Sequence, residues 1–252
     1  MATRFCWVGY SGLLFTLGFH SFLRAGSPPL ITDDPGTPGN GHWEINIGAS
    51  TDHRPGARNS EFPLVDLNYG IGDRFQLNYE VPYTISQEDG GTTKSGLGNS
   101  ALGVKWRFYD AGERALSMSV YPKIEFNTPG SSAADHGLVD AGTVFVLPCQ
   151  FEKEVGPFTL IWQVGREFHS GSDPWFYGIS VGHRITKSVE LAVELAGGAT
   201  AGLHRSQLTA NFGVCVDLSE RSSIMFSLGR ELHNHHELCA TLISYVGWQL
   251  RL

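Results

Sequence analysis

The chain is short of charge and of long apolar runs. Only 17% of its 252 residues are Asp, Glu, Lys or Arg, against roughly 25% in soluble globular domains. With 31 glycines, the composition argues against a helical bundle, and its 41% hydrophobic content against intrinsic disorder. Cationic side chains are scarce too: 18 Lys and Arg face 25 Asp and Glu. That balance excludes nucleic acid as a partner. Beyond residue 23 no apolar run approaches the roughly 20 residues that a spanning helix needs, so a polytopic helical membrane protein is excluded. Cysteine is rare, with four in the chain.

What is present begins with a leader. Residues 1–25 read as a cleaved secretory signal peptide: Arg4 supplies the positive start, Gly12 to Phe19 the apolar core, and Ala25, Gly26 and Ser27 a small-residue cleavage region. Cys6 leaves with it. The odd remainder of Cys149, Cys215 and Cys239 predicts no disulfide framework, only buried or lipid-facing thiols.

The rest alternates with period two, as strands do. Phe75, Leu77, Tyr79 and Val81 oppose Arg74, Gln76, Asn78 and Glu80. Val104, Trp106 and Phe108 oppose Lys105 and Arg107. Twelve such segments fall near 42–53, 61–70, 74–82, 98–109, 115–127, 141–153, 158–167, 174–185, 188–199, 206–218, 222–230 and 237–252. Connections after the even segments are short, and those after the odd ones mostly longer, with 83–97 and 128–140 longest. Such regular alternation marks an outer-membrane barrel. So do aromatics near segment ends, among them Trp43, Tyr69, Tyr83, Trp106, Phe108, Tyr109, Trp175 and Trp248. The expected fold is therefore all-β: an antiparallel transmembrane β-barrel of twelve strands over 42–252, preceded by a periplasmic segment, 26–41. A soluble β-sandwich is the alternative, since it too would alternate. The barrel's partners would be outer-membrane lipid, the barrel assembly machinery and a small solute. The end, Tyr245 to Leu252, resembles the terminal strand that this machinery reads: polar, any, Gly, any, any, apolar, any, apolar.

Several blocks resemble the bacterial outer-membrane barrels grouped as the "MetA-pathway of phenol degradation" transporters. They are Pro28 to Pro35 (PPLITDDP), Gly41 to Glu44, Tyr69 to Leu77, Pro82-Tyr83 and Gly96 to Phe108. Asn99 stands where that family commonly has Asp. The resemblance covers roughly residues 28–108 and implies a barrel that takes up hydrophobic aromatics.

In a barrel the polar face lines the lumen. Lumen-lining positions are then Glu44, Asp66, Arg74, Gln76, Asn78, Glu80, Lys105, Arg107, Lys123, Glu125, Glu190, Glu194, Asn211, Asp217 and Arg251. Opposite charges are expected to pair across strands: Glu80 with Lys105, and Arg107 or Lys123 with Glu125. A twelve-stranded barrel is intermediate in width, so the lumen could be narrow, or blocked by loops or by 27–40. The later strands place Val144, Val146, Ile161, Phe176, Met225 and Ile243 inward, which would suit an apolar solute. A register slip of one residue would send them to the lipid instead.

Chemical motifs are weak. His233, His235, His236 and Glu237 read as a solvated loop rather than a metal site. His169-Ser170-Gly171-Ser172-Asp173 lacks the spacing that orients a base on a nucleophile. No cofactor is expected, and no enzyme. The function expected is a channel or transporter for small solutes, hydrophobic or aromatic ones among them. The alternatives are a structural or adhesive barrel with a closed lumen and, further off, an outer-membrane lipid hydrolase.

Overall fold

The computed structural model describes residues 29–112, 116–169, 173–235 and 238–252. The leader, 1–25, lies outside them. The strands are β1 (Trp43–Arg54), β2 (Ala57–Ile71), β3 (Phe75–Glu88), β4 (Lys94–Leu97), β5 (Asn99–Asp110), β6 (Ser117–Val120) and β7 (Lys123–Asn127). They continue as β8 (Thr143–Val155), β9 (Phe158–Phe168), β10 (Trp175–Arg184), β11 (Val189–Ala199), β12 (Ser206–Ser219), β13 (Ser222–Asn234) and β14 (Leu242–Arg251). β4 and β5 are one strand interrupted at Gly98, and both pair with β3. β6 and β7 are one strand interrupted at Tyr121-Pro122, and both pair with β5 and β8. The barrel wall is thus twelve strands, each antiparallel to its neighbours. It closes where β1 meets β14, with Ile47 opposite Trp248. Closure leaves no unpaired edge in the hydrocarbon.

Burial is inverted relative to a water-soluble domain. Leu77 and Phe226 are 44% and 42% exposed, while Gln150 and Ser223 are fully buried. A sandwich would put its apolar residues between two sheets. Here a single sheet closes on itself, and the apolar half of each strand faces outward, where lipid supplies the missing packing. Aromatics rim this band. At the short-turn end Trp43 packs on Tyr69 at 4.8 Å and Phe75 stacks on Trp106 at 6.0 Å. At the other end Phe145 meets Phe168 at 5.9 Å, and the Arg166 guanidinium lies over Trp175 at 5.0 Å.

Two of the expected long loops are otherwise. The β1–β2 link is the tight turn Pro55-Gly56, allowed by a φ of 89° at Gly56. Most of 83–97 is strand, because the β3–β4 hairpin continues with Ser86 opposite Lys94. Hydrogen bonding favours that extension once strands leave the membrane side by side. The β7–β8 loop does stay long, and its Ala133 and Leu138 are buried.

Candidate functional site

The segment before β1 folds up into the barrel. Its described part is 29–41. It starts at the rim, where the Trp43 and Leu252 backbones exchange two hydrogen bonds of 2.9 Å. Gly41 N–H donates to the Gly70 carbonyl, and Gly72 N–H to Asn40 Oδ1. A Cβ at Gly70 would run into the Gly39 carbonyl, so glycine is required at that crossing. The chain then climbs to mid-lumen. A non-helical, unpaired backbone in that position needs side-chain partners, and four strands provide them. From β5, Lys105 Nζ donates to Asp33 Oδ1 at 3.1 Å and to the Asp34 carbonyl at 2.7 Å. From β8, Gln150 donates to Asp33 Oδ2 at 2.7 Å. From β9, Gln163 accepts from Asp33 N–H and donates to the Ile31 carbonyl. From β11, Glu194 accepts from Ile31 N–H at 3.1 Å, from Thr32 N–H, and from Asn211 Nδ2 at 2.7 Å. Beyond Ile31, Pro29 and Leu30 lie over Gly213.

The Lys105–Asp33 pair has side chains only 3% and 5% exposed. Desolvation offsets much of the attraction in such a pair. Its effect is chiefly to fix where the plug stops, because either charge alone in that position would be unpaired.

The plug divides the lumen. A cavity of about 340 Å³ lies towards the short-turn end. A neck of about 40 Å³ follows, lined by Ile31, Asn211 and Tyr245. A third space of about 100 Å³ sits under the β7–β8 loop. The sequence-derived positions distribute among them. Glu44, Asp66, Gln76, Asn78, Glu80, Lys105, Lys123, Glu190, Asp217 and Arg251 line the large cavity. Glu125 lines the third space and Asn211 the neck. Glu194 holds the plug. Arg74 and Arg107 line none of the three spaces: Arg74 is exposed in the β2–β3 turn. Arg107 Nη2 donates to the Asp73 carbonyl at 2.6 Å, with Asp110 at 3.5 Å. Arg74 sits beyond the strand ends, where parity stops carrying meaning, whereas Arg107 lies within β5, outside the three spaces just described.

The expected charge pairs are also rearranged. Opposite Lys105 stands Gln76, and Glu80 faces Ala101; the Lys105 ammonium is taken by the plug. Arg107 turns to Asp110 rather than Glu125. At the rim Arg184 bridges Glu190 at 3.0 Å and Asp217 at 2.8 Å. Seven carboxylates and four cations line the large cavity.

The apolar positions do face inward. Val146 and Phe176 pack together with Val144 beside them, and Met225 and Ile243 are buried. Ile161 lines the large cavity. The β8–β9 register pairs Gln150 with Gln163, so both glutamines share this inner face.

Across the lumen the wall of β1–β3 bonds to itself. Asp66 accepts from the amides of Asn46 at 2.9 Å, Asn68 at 3.0 Å and Asn78 at 2.6 Å. Asn68 Oδ1 in turn accepts from Gln76 at 2.6 Å.

Asp33, Gln150, Gln163 and Arg184 belong to the site, and so does Tyr121, which has the Lys105 and Lys123 ammonium groups each 4.9 Å from its ring. Strict parity continued through 117–125, 144–152 and 159–167 would have found Tyr121, Gln150 and Gln163. Asp33 lies in the Pro28 to Pro35 block that carries the family resemblance, but no periodicity there states its role. Among the thiols, Cys215 lines the large cavity, neither fully buried nor turned to lipid. His233 and His235 lie 2.9 Å apart, with His235 Nδ1 already accepting from Ser206 N–H. Among the described residues no three His, Cys, Asp or Glu side chains group to hold a metal. His236, Glu237 and Ser170 to Ser172 lie outside the described residues.

No known sequence family matches the chain, and no curated protein does. Solved structures do. An outer-membrane channel from Pseudomonas putida F1 is similar over 87% of this chain and 98% of its own, at 11% identity and a TM-score of 0.69. The KdgM porin, solved with oligogalacturonate, covers 81% and 98% at 9% identity and TM-score 0.56. The β domain of the Bordetella autotransporter BrkA covers 83% and 98% at 10% identity and TM-score 0.52. The fold is that of a bacterial outer-membrane barrel. Porins and an autotransporter domain share it, so function has to be argued from the lumen.

Proposed function

We propose that the protein is an outer-membrane channel for small solutes, closed in the present state by its own segment 29–38. The observation that carries this reading is how the plug is held. Its mid-lumen contacts are hydrogen bonds and one ion pair to side chains, with no strand pairing and no covalent tie. Such a segment can leave without unfolding the barrel. The spaces on both sides of it also favour conduction, since a barrel built only as a scaffold would fill its lumen with side chains. The inward apolar group Val144, Val146 and Phe176 supports passage of solutes with a hydrophobic part. So does the resemblance of residues 28–108 to the phenol-degradation barrels. The C-terminal pattern Tyr245 to Leu252 fits insertion by the barrel assembly machinery.

The test is single-channel recording of the refolded chain with and without residues 29–38. The deletion is expected to raise conductance several-fold and to speed uptake of small aromatic solutes into proteoliposomes. Equal, near-zero conductance in both proteins would instead favour a closed structural barrel.

A further inference from the structure

The third space is roofed by residues 128–142, the loop between β7 and β8. Leu138 to Gly142 line it from one side of the barrel. Thr209, Glu231 and Ile243 line it from the opposite side, on β12, β13 and β14. The loop therefore leans across the mouth instead of standing clear of it. Ile31 of the plug lines the same space, so one chamber touches both obstructions.

The loop is seated by side chains, where the strand ladder has stopped. The β5–β7 ladder ends at Asn99 opposite Asn127. Beyond it the Leu97 carbonyl accepts from the Ser131 hydroxyl at 2.6 Å, and the Gly98 carbonyl from the Thr128 hydroxyl at 2.5 Å. On the returning limb the Asp140 carbonyl accepts from Asn99 Nδ2 at 3.1 Å and Asn127 Nδ2 at 2.8 Å. Gly142 N–H donates to Asn127 Oδ1 at 2.7 Å. Between the limbs the loop folds on itself, with Leu138 N–H donating to the Ala133 carbonyl at 2.9 Å. That brings Ala133 and Leu138 together over β4, where a Cβ at Gly96 would lie 3.7 Å and 3.5 Å from them. Four of these five side-chain bonds are open to water. Water replaces such bonds at small net cost, so this seat can be left while the ladders of the wall stay whole. Gly130 and Gly142, with φ of 80° and 106°, stand at its two ends as hinges.

From this arrangement we infer that residues 128–142 are a movable outer lid, a second barrier in series with the plug, and that the third space is an antechamber between the two. A long ordered loop at the mouth of a pore suits that role. The long-loop end of an outer-membrane barrel faces outward, so the lid meets an incoming solute first and the plug second. The two barriers are seated on different bonds and move separately. Loss of the plug alone therefore still raises the current, which the lid then interrupts. The inference deepens the channel reading and rests on it for its purpose, but its test needs no current.

The test is thiol labelling from outside. The full chain carries Thr209→Cys, a buried position in the third space, with Cys149, Cys215 and Cys239 replaced by serine. In the outer membrane of intact cells it is treated with a charged, membrane-impermeant methanethiosulfonate. With the native loop, labelling should go to completion slowly. Replacing 130–141 by a Gly-Gly turn should speed it by at least about tenfold. Thr128→Val with Ser131→Ala, which removes only two bonds of the seat, should give a rate between the two. Each variant is checked for an intact barrel by its heat-modifiable migration. Equal rates in all three proteins would overturn the inference. So would a native loop that never admits the reagent, because the loop would then be a fixed cap. Absence of labelling in every variant would also overturn it, since something other than the loop would close the mouth. Labelling indifferent to the loop, in a protein that conducts once 29–38 is removed, would keep the channel reading and remove this one. Loop-dependent labelling in a barrel that never conducts would do the reverse.

Discussion

The two walls of the lumen use the same chemistry to opposite ends. On β1–β3, three asparagine amides donate to Asp66 without help from any other segment. On β5–β11, Lys105, Gln150, Gln163 and Glu194 are completed only by the chain's own residues 31–34. Both walls bury amides beside carboxylates, and both must find partners for them. The first wall makes its bonds to Asp66 without the plug. The second is half of an interface whose other half is the segment 31–34. Under the proposed function, gating by the plug belongs to the second wall alone.

That division can be broken most forcefully at Glu194. Glu194→Ala removes the acceptor for two plug amides. Hydrogen bonds to a charged group contribute about 1.5–3 kcal/mol each, so the open fraction should rise by at least about tenfold per bond lost. Single-channel open probability reads this directly, and an unchanged value would show that the plug is held by something else. Asp66→Asn should have the smaller and contrasting effect. It costs about 1–3 kcal/mol of barrel stability, seen as a lower denaturant midpoint, while open probability stays at the unmodified level. If Asp66→Asn opened the pore as Glu194→Ala does, the two walls would not be distinct.

The barrel was legible because its evidence is local. Alternation in 74–81 and 104–108 states which residues face lipid, and parity placed even Val146 and Phe176 correctly where hydropathy alone was ambiguous. Arg74 was misplaced because parity does not say where a strand ends. The Glu80–Lys105 pairing failed on register: Lys105 stands opposite Gln76, and four residues along a strand are about 14 Å. The plug was harder still. Residues 29–38 have no period, and their partners lie far off in the chain, as Lys105 does from Asp33. The sequence allowed 27–40 to block the lumen but could not say by which bonds, since those depend on closure of the whole sheet.

The central claim, that the pore opens by movement of this segment, can be tested by tethering it. A Cβ placed at Gly178 would lie 3.2 Å from Thr32 Cβ, close to the roughly 3.5–4.5 Å span of a disulfide. The measurement is single-channel conductance of a Glu194→Ala protein carrying Thr32→Cys and Gly178→Cys, with Cys149, Cys215 and Cys239 replaced by serine. Oxidation should return conductance to the closed level of the unmodified protein, and reductant should restore the open level. Conductance that stays high with the tether formed would show that the current does not pass through the space the plug occupies, and the account would fail.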